Sequence, residues 1–143
     1  MPEVNILSGK DTAQSIYNNL KPRILSLQEQ GVIPGLCVVL VGDNPASKIY
    51  VRTKTKKLKS LGLISESILL HEDVDHEKLI KVIDDLNKDT KYHGILVQLP
   101  LPRHINSQRI INAINPRKDV DGFHPENVGW LSIGKPRFIP CTP

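Results

Sequence analysis

The sequence predicts an α/β fold, a three-layer α/β/α sandwich with a mostly parallel sheet, and three observations predict it. Apolar residues recur at helical spacing in one set of segments, short runs apolar throughout lie between them, and the two kinds alternate along the chain. A strand apolar on both faces belongs inside a parallel sheet covered by helices. Alternation with right-handed crossovers places those helices on both faces of the sheet. At 143 residues, with 39% hydrophobic and 24% charged residues, the chain has the size and composition of one globular domain with its own core. A single domain over residues 1–143 is therefore expected.

The elements follow in order. Over residues 12–30, Ala13, Ile16, Leu20, Ile24 and Leu27 recur at three- and four-residue steps, the pattern of an amphipathic helix. Gly31 and the Pro34-Gly35 pair stop it, and residues 36–41 form a continuous, β-branched-rich run of strand length. After the turn-rich Gly42-Asp43-Asn44-Pro45, residues 46–61 read as a second helix with Gly62 as its C-terminal cap. Residues 63–70 read as a strand. Asp75 or a neighbour starts a third helix carried by Leu79, Val82, Ile83 and Leu86, and residues 94–98 form another short buried strand. Beyond Pro100 the pattern gives a helix over residues 107–114, a turn at Asp121-Gly122 and a short helix over residues 125–131. The closing run from Phe138 through Cys141 to Pro143 reads as the entrance to a linker.

Composition narrows the function. Cys37 lies inside an apolar run and reads as core, far in sequence from Cys141. No stretch is long and apolar enough for a membrane span, and the N-terminus has neither a signal-peptide core nor transit-peptide character, which fits a reducing cytoplasm and no membrane partner. The net charge of +4 is concentrated in Arg52, Lys54, Lys56, Lys57 and Lys59, so an anionic ligand is expected near them, although a lysine-rich helix is often only a solvated face. The five histidines show no metal-binding spacing, and no metal is expected. No nucleophile elbow, G-x-G-x-x-G or Walker loop occurs, so these residues are not expected to hold a dinucleotide.

Chemistry could live in three places. At about 100° per residue, Ser47, Tyr50, Val51, Lys54, Leu58 and Leu61 share one stripe of the second helix, which puts Lys54 near the middle of its apolar face. Lys48, Arg52, Lys56 and Lys59 fall on the opposite side. A lysine so placed either snorkels to a rim or has a buried role. Desolvation and flanking cations would both disfavour its ammonium form, as proton transfer near neutral pH requires. Tyr50, one turn earlier, adds an aromatic surface suited to a flat heterocycle. The second place is the end of the strand over residues 94–98, where Gln98 stands at a carboxyl end, the usual ligand address in open α/β sheets. Pro100 and Pro102 follow it and cannot donate to a ladder, leaving backbone groups around Leu99 and Leu101 for a ligand. The third is the Asp121-Gly122 turn, which could present a carboxylate to a paired donor edge such as the amino-pyrimidinone of a pterin. Each has a plain structural alternative: a chance Tyr-Lys spacing, an ordinary polar strand end, a common turn.

Taken together, the segments Val41 to Lys54 (VGDNPASKIYVRTK), Gly94 to Pro102 (GILVQLPLP) and Lys118 to Pro125 (KDVDGFHP) resemble the bifunctional methylenetetrahydrofolate dehydrogenase/methenyltetrahydrofolate cyclohydrolase family, and Pro140 to Pro143 is similar to that family's interdomain junction. The resemblance spans nearly the whole chain and identifies it with the N-terminal folate-binding catalytic domain. It implies that Lys54 handles the proton of the cyclohydrolase step, that Gln98 orients it, and that Asp121 grips the pterin. It also implies that Tyr50 stacks on the folate rings, and that Ser47 and the backbone around Val97, Leu99 and Leu101 complete the pocket. The family oxidises 5,10-methylenetetrahydrofolate with NADP and hydrolyses the product to 10-formyltetrahydrofolate. By resemblance, the NADP-binding Rossmann-like domain and a returning C-terminal helix lie outside these residues, the substrate is a polyglutamylated folate, and the full-length protein is a homodimer. Two other assignments stay open: a basic nucleic-acid-binding module using residues 52–59, and the substrate domain of an amino-acid or shikimate-type dehydrogenase.

Overall fold

A computed structural model describes residues 7–140. The described residues divide between Ile33 and Pro34 into two compact units. The first holds α1 (Gly9–Glu29), which starts ahead of the expected Thr12 because the Ser8 hydroxyl accepts the Asp11 N–H at 3.2 Å and caps the helix. Of its apolar stripe Ile24 is buried, whereas Ile16 and Leu27 are exposed. A lone helix has no second layer within its own unit to cover such a stripe.

The second unit contains β1 (Gly35–Val41), α2 (Pro45–Ser60), β2 (Ile64–Leu70), α3 (His76–Lys88), β3 (Gly94–Val97), α4 (Ser107–Ala113) and α5 (Pro125–Ser132). The strands form one sheet in the order β2-β1-β3, parallel throughout, with Gly35 opposite Ile64 and Leu36 opposite Gly94. As the central strand, β1 must be apolar on both faces, and the structure shows why. Cys37, Val39 and Val41 pack with Leu79, Ile83 and Leu86 of α3 and Ile110 of α4, while Val38 and Leu40 pack with Leu96 and with Val51 of α2. Helices thus cover both faces of the sheet. Leu79 and Ile83 are fully buried, each contributing roughly 1.5–3 kcal/mol. Cys37 is fully buried too, and burial first of all pushes its thiol up to about 11, so it is an inert core residue; Cys141 lies outside the described residues.

Local signals set the boundaries. Asn44 caps α2 and Asp75 caps α3 through their side chains, and Pro45 occupies the first turn of α2. Past α2, Gly62 has φ +75° and donates to the Lys59 carbonyl while Leu63 donates to that of Leu58, a Schellman ending that needs the left-handed conformation glycine adopts freely. After α4 the chain returns along β3: Ile95 donates to the Lys118 carbonyl at 2.7 Å and bridges Asp119 in parallel. The approach is tight. A Cβ on Gly94 would lie 2.6 Å from Val120 Cγ1. The turn following Asp119 is thereby fixed against the sheet, on the face that α2 covers.

Candidate functional site

The site is built from α2, the carboxyl end of β3 and the turn after Asp119. On α2, Ser47 and Val51 are buried and Lys54 is half-buried along the same line, as the stripe requires. Tyr50 is not inward: it is 54% exposed, because one residue before Val51 is about 100° around the helix, at the rim of the buried face. Lys54 Nζ stands over the Tyr50 ring, 4.3 Å from its centroid. An ammonium in that position is attracted by the ring's negative face.

The electrostatic surroundings of Lys54 differ from the expectation of flanking cations. Lys48, Arg52, Lys56 and Lys59 face β2, where with Leu40, Val51 and Leu69 they line an open groove of about 660 Å³ on the other flank of the helix. Helical rotation separates them from Lys54, since a residue two positions away points about 200° around the axis. The charge shown acting together with Lys54 is instead an anion. Burial pushes the Asp121 carboxyl above the usual carboxylate range; the Lys54 ammonium opposes that shift, and the Asp119 carboxylate adds to it.

Gln98 extends the β3 ladder by one bond, its N–H donating to the Val39 carbonyl at 2.8 Å. Strand alternation then sends its side chain to the side of Leu96, the face α2 covers. Its Nε2 donates to the neighbouring Leu99 carbonyl at 2.8 Å, while Oε1 is buried and has no hydrogen-bond partner among the described residues. An orphaned buried acceptor is costly unless a ligand or a moving side chain supplies the donor. The Leu99 carbonyl, among the backbone groups expected to be available to a ligand, accepts this one bond and keeps its second lone pair. Val97 and Leu101 direct their side chains into the core shared with α3 and α4, so only their backbone can meet a ligand on the α2 face. The Leu99–Pro100 peptide is cis.

Asp121 stands in a turn closed by the Gly122 N–H donating to the Asp119 carbonyl at 3.2 Å, with Gly122 at φ +70°. What the sequence did not single out is the network behind this turn. Asp119 and Asn127 are both essentially inaccessible. Asp119 Oδ2 accepts from the His124 N–H and from Asn127 Nδ2, each at 2.8 Å. Asn127 Nδ2 also donates to the Pro116 carbonyl at 2.8 Å, and its Oδ1 accepts from Arg137 Nη1 at 3.1 Å. Nothing in the sequence signals this, because Asn127 is an ordinary polar residue in a predicted helix.

The β1–α2 turn, where a phosphate-binding loop would stand, has one glycine; the Ser47 N–H is already taken by Asn44 Oδ1 at 3.1 Å, and Pro45 has no N–H to offer. Among the described residues no cluster of three His, Cys, Asp or Glu side chains could hold a metal ion, and no helix is long and apolar enough to cross a membrane.

With this geometry in place, comparisons with known proteins identify the relatives. Residues 7–121 match the family model described as tetrahydrofolate dehydrogenase/cyclohydrolase, catalytic domain. The chain is 52% identical over 138 residues to the bifunctional protein FolD of Geotalea daltonii, an alignment covering 96% of this chain and 49% of that protein. Its fold matches, with a TM-score of 0.93 and 45% identity, the crystal structure of the bifunctional enzyme FolD, methylenetetrahydrofolate dehydrogenase/cyclohydrolase, from Campylobacter jejuni, covering 96% of this chain and 49% of that one. The Trypanosoma brucei N5,N10-methylenetetrahydrofolate dehydrogenase-cyclohydrolase, solved with NADP cofactor and inhibitor, matches with a TM-score of 0.93 at 36% identity, over 99% of this chain and 49% of that one. The chain spans about half the length of the curated relatives it matches. These relatives do not favour a nucleic-acid-binding module or a substrate domain of the amino-acid or shikimate type.

Proposed function

The chain belongs to the tetrahydrofolate dehydrogenase/cyclohydrolase family, and on that premise we propose that residues 1–143 are its folate-binding catalytic domain, supplying the folate site and the proton-handling lysine of a bifunctional enzyme of one-carbon metabolism. The whole protein oxidises 5,10-methylenetetrahydrofolate to the 5,10-methenyl form with NADP and hydrolyses that to 10-formyltetrahydrofolate, feeding purine and amino-acid biosynthesis in the cytoplasm. The observation that carries this is the convergence on one face of a half-buried lysine over an aromatic ring, a carboxylate coupled to it, and a buried amide oxygen awaiting a donor.

NADP would accept the hydride. The β1–α2 turn does not suit its pyrophosphate, which supports a site for it in the part of the relatives' length that this chain does not span. The residues here bind, orient and move protons. Asp121 accepts the paired N–H donors of the pterin edge, Tyr50 stacks on the planar rings, and Ser47, Gln98, Leu99 and the backbone of Val97 and Leu101 line the floor. Lys54 as the free amine takes a proton from water as its oxygen bonds to the methenyl carbon. The resulting ammonium returns the proton to the folate N5 as the carbon–N5 bond breaks toward nitrogen and the adduct's hydroxyl proton passes to solvent, leaving the formyl group on N10. Gln98 Oε1, which has no hydrogen-bond partner among the described residues, is the acceptor that a Lys54 N–H would reach when the amine moves to that carbon. The cations of α2 draw in a polyglutamylated folate by their field, and the complete protein is a homodimer. Titration of a folate analogue with amide-exchange mapping tests the assignment: protection is expected at Tyr50, Gln98 and Asp121, and binding without protection there would refute it.

A further inference from the structure

We propose that Asn127 is a positioning residue for the folate site, acting through the Asp119 carboxylate on the turn that presents Asp121. The proposal rests on the folate-site assignment above and adds a residue that does not itself touch substrate. Three observations carry it. Asn127 is fully buried, yet each polar atom of its side chain is engaged: Nδ2 with the Pro116 carbonyl and Asp119 Oδ2, Oδ1 with Arg137 Nη1. Asp119 is buried and, among the described residues, has no cation bonded to it; its carboxylate is held by two donors, the His124 N–H and Asn127 Nδ2. Both donors lie beyond the turn and Asp119 lies before it, so the two bonds close the loop 119–124 across its neck, with Asp121 at its crest.

Without Asn127 the Asp119 carboxylate loses half of that support. A buried charge with an unmet hydrogen bond either draws in water or swings toward it, and either motion is passed to Asp121 two residues on. The outer anchor is Arg137, whose Nη2 also bonds Glu126 at 2.8 Å. Near it, Pro140 Cγ would lie 3.3 Å from a Cβ on Gly122, so the segment leading away from α5 packs against the same turn. Asn127 thus ties Asp119, two residues before the pterin-binding carboxylate, both to the preceding loop at Pro116 and to this outgoing segment.

A double-mutant cycle in the full-length protein separates positioning from general stability. Folate-analogue affinity is measured by calorimetry for wild type, Asn127→Ala, Asp121→Ala and the double variant, each with a thermal melt. Asn127→Ala is expected to weaken binding about 10-fold or more, the scale of a lost hydrogen bond to a charge, and to weaken it no further once Asp121 is alanine. An unchanged affinity in Asn127→Ala, or the same fold-loss in both backgrounds, overturns the proposal. If Asp121→Ala itself leaves affinity unchanged, the folate-site assignment fails first and the proposal with it. Should Asn127→Ala not fold, Arg137→Ala removes the outer anchor, and a loss of affinity confined to the background retaining Asp121 is the expected result; no loss overturns the proposal.

Discussion

At the residue scale, the consequential feature is a carboxylate kept in a place that does not suit its charge. Burial raises the Asp121 carboxyl above its ordinary range against the pull of Lys54. Such a group binds its proton more tightly in the folded chain than in the unfolded one. Its contribution to stability is therefore most favourable at low pH and declines as pH rises from the ordinary carboxylate range through the raised value. Asp121→Asn removes that decline. The variant is expected to match wild type in thermal melts at acidic pH, to equal or exceed it at neutral pH, and to lose folate affinity by about 10-fold or more. Lower stability than wild type at neutral pH with unchanged affinity would contradict this role for Asp121. The candidate site was partly legible at this scale: Lys54 stands out on its helix because a cation on an apolar stripe needs a reason. Its neighbours were not legible. Which charge faces Lys54 depends on the 119–122 turn, far along the chain, and helical rotation turns the nearby cations away.

At the element scale, the secondary structure follows local punctuation closely. Asn44, Asp75, Gly62 and the prolines mark their boundaries through capping and φ preferences that act within a few residues, which is why they can be read from sequence. The start of α1 differed because a serine cap satisfies the orphan N–H groups ahead of the apolar stripe. Tertiary contacts are another matter: the return of residues 118–120 along β3 has no local signal, and it is what brings Asp121 to α2. That packing is testable at Gly94, where a methyl group would meet the stiff Val120 side chain at 2.6 Å and Leu36 Cδ1 at 3.1 Å. Gly94→Ala is expected to cost about 1–3 kcal/mol in urea unfolding and to weaken folate binding by displacing the residue next to Asp121. Wild-type stability and affinity in that variant would show that the approach is looser than described.

At the scale of the whole molecule, the fold class was legible because alternation of helical and strand periodicities admits few arrangements, and the central strand carries apolar side chains into both covered faces. The division of labour is equally physical. The proposed folate site lies in this chain, while the β1–α2 turn offers no phosphate seat, so calorimetry of the 143-residue chain is expected to show no micromolar NADP⁺ binding; such binding would require a dinucleotide site among these residues. The proposed function turns on the amine of Lys54. In the full-length protein, Lys54→Ala should lower methenyltetrahydrofolate hydrolysis by about 10²–10⁴-fold, the usual worth of a positioned proton-transfer group, while folate-analogue binding remains measurable. Hydrolysis at near-normal rates in that variant would contradict the account.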